Sequence, residues 1–108
     1  MAYFTQETID AVWEKALIVA HNDPNIWRKD YAGAWIKKTL YGSEAEYGWE
    51  IDHQLPVSKG GTDALLNLKP LHWRNNRYKS DNYPEFETII SASGINNVEL
   101  KKSWTCRR

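Results

Sequence analysis

Between residues 49 and 82 the chain carries polar side chains that folding alone does not require. Asp52 and His53 stand side by side, a carboxylate next to an imidazole. Such a pair can place one group on a metal ion and present the other to a water, provided the backbone bends there. In a regular strand, neighbouring side chains point to opposite faces. Asn67 lies inside the apolar run from Leu65 to Leu71, where a buried amide has to find hydrogen-bond partners. His72 and Asn76 are four apart, so a helix sets them on one side, and Lys79 follows one step along that face. Metal binding and proton transfer are the chemistries open to this set.

The surrounding pattern says which elements must hold these groups. Apolar residues at Ile9, Val12, Trp13, Ala16, Leu17 and Ala20 predict a helix over about 5–21, capped by Thr5, with Glu7 and Asp10 near its positive end. Asn22-Asp23-Pro24-Asn25 is turn chemistry and ends it, with His21 as a partner for the C-terminal dipole. Residues 27–41 suit either a short strand or an irregular helix, and a strand near Ala34–Lys37 is the preferred reading. Trp49 and Ile51 alternate with Glu50 and Asp52, a strand that ends at Asp52-His53. Pro56 and Gly60-Gly61 demand a long irregular loop and permit the bend. Pro70 suits a helix entrance better than the middle of a strand. His72–Ser80 reads as a short surface helix, and Pro84 to about Ala92 as another, with Phe86, Ile89 and Ile90 on one face and Gly94 past its end. Val98–Trp104 adds a strand or packs on the surface.

With 108 residues, the chain has room for a single domain. A mean hydropathy of −0.67 and no apolar run near the ~18 residues of a membrane span describe a soluble globule. The N-terminus has no basic cap followed by an apolar stretch, so a cytoplasmic protein is expected. The one cysteine, Cys106, excludes an internal disulfide and a four-cysteine zinc site, which leaves six Trp and six Tyr to supply much of the core. Lys plus Arg and Asp plus Glu both total 14, which argues against a protein that coats a polyanion. The neutrality is an average, however. Net charge is −3 over residues 1–50, +2 over 51–82 and +1 over 83–108. Lys101-Lys102 and Arg107-Arg108 make the end basic. Docking on a polyanion would then rest on a few local, salt-sensitive contacts.

The string G-W-E-I-D-H-Q-L-P-V-S-K-G-G-T-D-A-L-L-N-L-K-P-L-H-W-R-N-N-R-Y-K-S-D-N, residues 48–82, resembles the HNH nuclease motif, with the family's parts in order and at family-like spacing. The match covers about a third of the chain. It implies an α+β fold built on a ββα-metal (His-Me finger) core over about 47–82, with the N-terminal helix packed on it and a C-terminal helix and tail over about 84–108. It further implies that His53 is the general base, that Asp52 and Asn76 bind one divalent metal, and that Asn67 fixes the loop between the two strands. Lys79 falls where the family has a basic residue near the scissile phosphate or paired with the site. His72 stands where some members have a second helix histidine, as a further ligand or a simple cap, and Glu50 reads as a salt-bridge partner to the site. Oxygen ligands suit Mg or Mn, whereas ligation by His72 would admit Zn or Ni.

Arg74, Arg77 and Lys59 are the expected phosphate contacts. The expected partner is duplex DNA, with RNA as an alternative, and the expected products are 5′-phosphate and 3′-hydroxyl ends. A toxin-type nuclease and a non-cleaving nucleic-acid module are the rival readings. A single site would need a homodimer to cut both strands in one encounter. One departure is the missing Cys-x-x-Cys knuckle, whose positions are taken by His72 and Asn75, so Trp35, Trp49, Trp73 and the N-terminal helix must brace the fold.

Overall fold

The computed structural model describes residues 3–106. Arg107 and Arg108 of the basic end lie outside the described residues. Helix α1 spans Gln6–Trp13, with the Thr5 hydroxyl accepting a hydrogen bond from the Thr8 amide at 3.2 Å. The apolar period continues to Ala20, yet the helix stops early because tertiary partners take over the backbone beyond it. The Arg28 guanidinium, 4% exposed, takes the carbonyls of Glu14 and Ala16. Leu17 exchanges two backbone hydrogen bonds with Lys29, at 2.8 and 3.0 Å. His21 therefore sits at no helix end; it adopts φ 68° in a turn.

Six strands follow, in three separate two-stranded antiparallel sheets. β1 (Trp27–Lys29) pairs with β2 (Trp35–Lys37), and β3 (Trp49–His53) pairs with β4 (Leu68–His72). Helix α2 (Trp73–Lys79) follows β4 directly, and β5 (Glu85–Ser93) pairs with β6 (Asn96–Thr105). Among the described residues the chain is thus mostly β with two short α-helices, which overturns the expected α+β class with a ββα-metal core. Residues 84–92 depart most from expectation. Phe86, Thr88 and Ile90 are buried while Glu85, Glu87 and Ile89 are less so, a period of two that wins over the helical spacing of Phe86, Ile89 and Ile90. Gly94, at φ 60°, turns a hairpin rather than ending a helix. Pro70 lies mid-strand opposite Ile51, where its missing N–H is tolerated because β4 pairs on one side only.

Val12, Trp13, Ala16, Ile36, Trp49, Ile51 and Leu68 form the core under β3, with the Trp13 and Trp49 rings 5.4 Å apart. Trp35 is buried as well, whereas Trp73 is only half-buried and hydrogen-bonds the Ala45 carbonyl at the surface. None of the helices described is long and apolar enough to cross a membrane.

One polar network ties the three sheets together. Asp30 is fully buried and accepts four N–H groups: Ala32 and Ala34 on Oδ1, and His72 and the Asn75 side chain on Oδ2, at 2.8–3.0 Å. Asn75, also fully buried, passes the connection on, accepting from the Ile89 and Ile90 amides and donating to the Ile90 carbonyl. Burial pushes the Asp30 carboxyl up to about 6, against the hydrogen bonds that favour its ionised form.

D30N places an amide NH2 against two N–H donors and is expected to lower the free energy of unfolding by about 3 kcal/mol at pH 7, measured by urea denaturation. Because Asp30 holds a proton more tightly when folded than when unfolded, its contribution to stability is largest below about pH 4 and is lost as pH rises through about 6. The gap between wild type and D30N should therefore widen from pH 7 to pH 4.

Candidate active site

His53 ends β3, and its imidazole packs 5.9 Å from the Phe4 ring, centroid to centroid. Its Nε2 lies 2.7 Å from the Asp63 carboxylate. A carboxylate only accepts, so Nε2 carries the proton of this bond, and Nδ1 is the nitrogen left to act as base in the neutral ring. Asp63 reaches this place because the loop after β3 is pinned from below. The Asn67 side chain accepts from the Leu55 amide at 2.7 Å and donates to the carbonyls of Leu55 and Thr62 at 3.0 and 2.9 Å. Gly61 permits the close pass, since a Cβ there would come within 1.7 Å of the Leu55 oxygen. Asn67 therefore positions the loop and does not itself face a reacting group. Sequence reasoning missed Asp63, whose only signal is its place two residues after Gly61 in the turn that Asn67 holds down.

A cavity of about 670 Å³ opens beside His53 and is lined by Phe4, Tyr41, Glu44, Glu50, Asn76 and Arg77, among others. Asn76 donates to Glu50 Oε1 at 2.9 Å. Arg77 spans the rim, 3.1 Å from Glu50 Oε2 and 2.5 Å from Glu44, with its guanidinium 5.0 Å from the Trp73 ring centre. The alternation of β3 and the helical spacing of α2 bring these groups together, since Glu50 on the strand meets Asn76 and Arg77 across the strand–helix contact.

The other expected site residues lie elsewhere. The Asp52 carboxylate is 5% exposed and turned to Lys79, whose ammonium reaches Oδ1 at 3.2 Å. Burial pushes the Asp52 carboxyl up, while the Lys79 charge opposes that shift. Lys79 is fully buried, over the Phe86 ring and bonded also to the carbonyls of His53 and Gln54, so it braces the end of β3 instead of reaching a phosphate. His72 caps α2: Nδ1 accepts from the Arg74 amide and Nε2 donates to the Glu46 carbonyl at 2.7 Å. With both ring nitrogens engaged and its pKa lowered by burial, it is a neutral structural residue and not a ligand. Arg74 pairs with Glu99 on β6, and Lys59 is exposed on the loop after β3. Of the three expected phosphate contacts only Arg77 shares the cavity of His53.

The expected ligand set of Asp52, Asn76 and His72 thus does not converge, and among the described residues no group of three or more His, Cys, Asp or Glu forms a metal site. What shares the cavity of His53 instead is the Glu50 carboxylate, bonded by the Asn76 NH2 and by Arg77; carboxylate and amide oxygens are the kind that Mg and Mn take. Comparison of the chain with family models, curated proteins and solved structures gave no match.

The two candidate ligand sets separate by calorimetry with Mn²⁺ and no substrate. E50Q is expected to weaken Mn²⁺ binding by roughly tenfold or more, whereas D52N should leave it within about twofold.

Proposed function

We propose that this chain is a metal-dependent endonuclease of the HNH kind that hydrolyses DNA phosphodiester bonds. The observation that carries the reading is the His53 imidazole held through Nε2 by Asp63 at the edge of a cavity that also contains Asn76, Glu50 and Arg77. An imidazole in its neutral form can take a proton from water. Asp63 fixes the tautomer and stabilises the imidazolium that forms, which is the role of an orienting carboxylate beside a general base.

In the proposed reaction Nδ1 of His53 removes a proton from a water as it attacks phosphorus in line with the departing 3′ oxygen, which gives 5′-phosphate and 3′-hydroxyl ends. Arg77 supplies positive charge for the phosphate. Its two acidic partners hold it at the rim, where water screens the exposed pair with Glu44, so exchange onto a phosphate is cheap. Glu50 and Asn76 would hold the one divalent ion, Mg or Mn, which when bound supplies stabilisation of the charge that builds on the phosphate and leaving group.

Supercoiled plasmid with Mg or Mn tests the assignment, run beside linear duplex, single-stranded DNA and RNA. Wild type is expected to cut DNA, H53A to be slower by about a hundredfold or more, and D63N to fall between the two. An H53A protein that cuts as fast as wild type would falsify the role of His53. RNA cleavage in place of DNA cleavage would transfer the reading to the toxin-type rival.

A further inference from the structure

Asp52 Oδ2 is the one buried side-chain oxygen or nitrogen among the described residues that no protein group reaches. A buried acceptor without a donor is costly, so a donor from outside the chain belongs there. The carboxylate is 5% exposed and lines a cavity of about 210 Å³, separate from that of His53, whose walls include Gln54, Lys69, Tyr31, Phe86 and Trp104. Tyr31 meets Phe86 and Trp104 edge-on, with centroids 6.3 and 5.2 Å apart, so much of the wall is aromatic.

The chemistry of the occupant follows from this lining. Lys79 already balances the charge of Asp52 from behind, and Lys69 stands on the cavity wall, so a cation would find no uncompensated negative charge and one ammonium group to repel it. A neutral N–H donor is the better fit. Aromatic walls favour a flat group, and the volume lies below the roughly 300–1,000 Å³ of pockets that hold drug-sized ligands, which leaves room for one ring system. We infer that this cavity binds a single nucleobase carrying an amino group beside a ring nitrogen, adenine or cytosine, or guanine through its 2-amino group, with the amino group donating to Asp52 Oδ2. The Gln54 amide on the same wall supplies the donor for the ring nitrogen. Uracil and thymine set a carbonyl oxygen where the amino group stands, lone pair against carboxylate, and are rejected. The choice of nucleobases among flat neutral donors rests on the proposed nuclease reading; the donor requirement and the flat shape do not. Asp52, expected to hold a metal, would then select the base instead.

Full-length H53A protein without metal is titrated with adenosine, cytidine, uridine and thymidine, following the Trp104 indole N–H resonance, which is anchored by its hydrogen bond to Thr88 at 2.9 Å. Adenosine and cytidine are expected to shift that resonance and to bind at least about tenfold more tightly than uridine and thymidine. D52N should abolish the difference. Because D52N also strips Lys79 of its carboxylate and could unfold the chain, W104L provides a second variant, read by nucleoside-dependent quenching of the remaining tryptophans, and should weaken adenosine binding about tenfold. No binding, equal binding of all four nucleosides, or an affinity unchanged in W104L overturns the proposal. Base discrimination by a protein that cuts no nucleic acid would refute the nuclease reading alone, and cleavage without discrimination would refute this one alone.

Discussion

A single buried carboxylate sets the geometry of this small protein. Asp30 takes N–H groups from the β1–β2 turn, from the β4–α2 junction and from Asn75, and Asn75 clamps β5 in turn. Three sheets of two strands each share no strand pairing with one another among the described residues, and two-stranded ribbons are marginal by themselves. Their arrangement depends on what crosses between them. Desolvation of the Asp30 carboxyl is costly, but four donors answer it, and a wrong relative placement of the sheets would leave that charge unsatisfied. Such all-or-none satisfaction favours one arrangement over compact alternatives.

The same arrangement separates the acidic groups of β3 into two environments. Glu50 meets Asn76 and Arg77 of α2 at the open cavity, while Asp52 sinks toward Lys79 at the buried end of the same helix and the aromatic ring of Phe86. Residues of like charge two apart on one strand thereby acquire different chemistry, one half-wet and in reach of polar ligands, the other dry and charge-paired. Lys79 and Arg77 divide in the same way. The lysine is locked by three acceptors in the interior, whereas the arginine sits at a rim where water screens its partners and exchange with a phosphate is inexpensive.

Much of the local structure was legible. Thr5 announced the start of α1, the alternation of Trp49 to Asp52 announced β3, and the breaker-free stretch after His72 announced α2. Asn67, a polar residue within an apolar run, was legible as a group that must be satisfied, and it is, by the loop it holds. The failures share a cause. The end of α1 was misplaced because Arg28 and Lys29, more than ten residues away, compete for its carbonyls and amides. Residues 84–92 carry apolar groups that fit both a helix and a strand, and the partner strand β6, which decides between them, lies beyond the window in which periodicity is read.

From the sequence alone came the impossibility of a disulfide within these 108 residues, and the short list of side chains with chemical potential: Asp52, His53, Asn67, His72, Asn76, Arg77 and Lys79. Those are matters of residue type and local spacing. Which of them meet was decided only by tertiary structure, because adjacency in space depends on how the strand twists, which groups are dry and which partners arrive from distant segments. Folding sent His72 to cap a helix and Lys79 to the interior, set Glu50 in place of Asp52 beside Asn76, and brought Asp63 across a glycine turn onto His53.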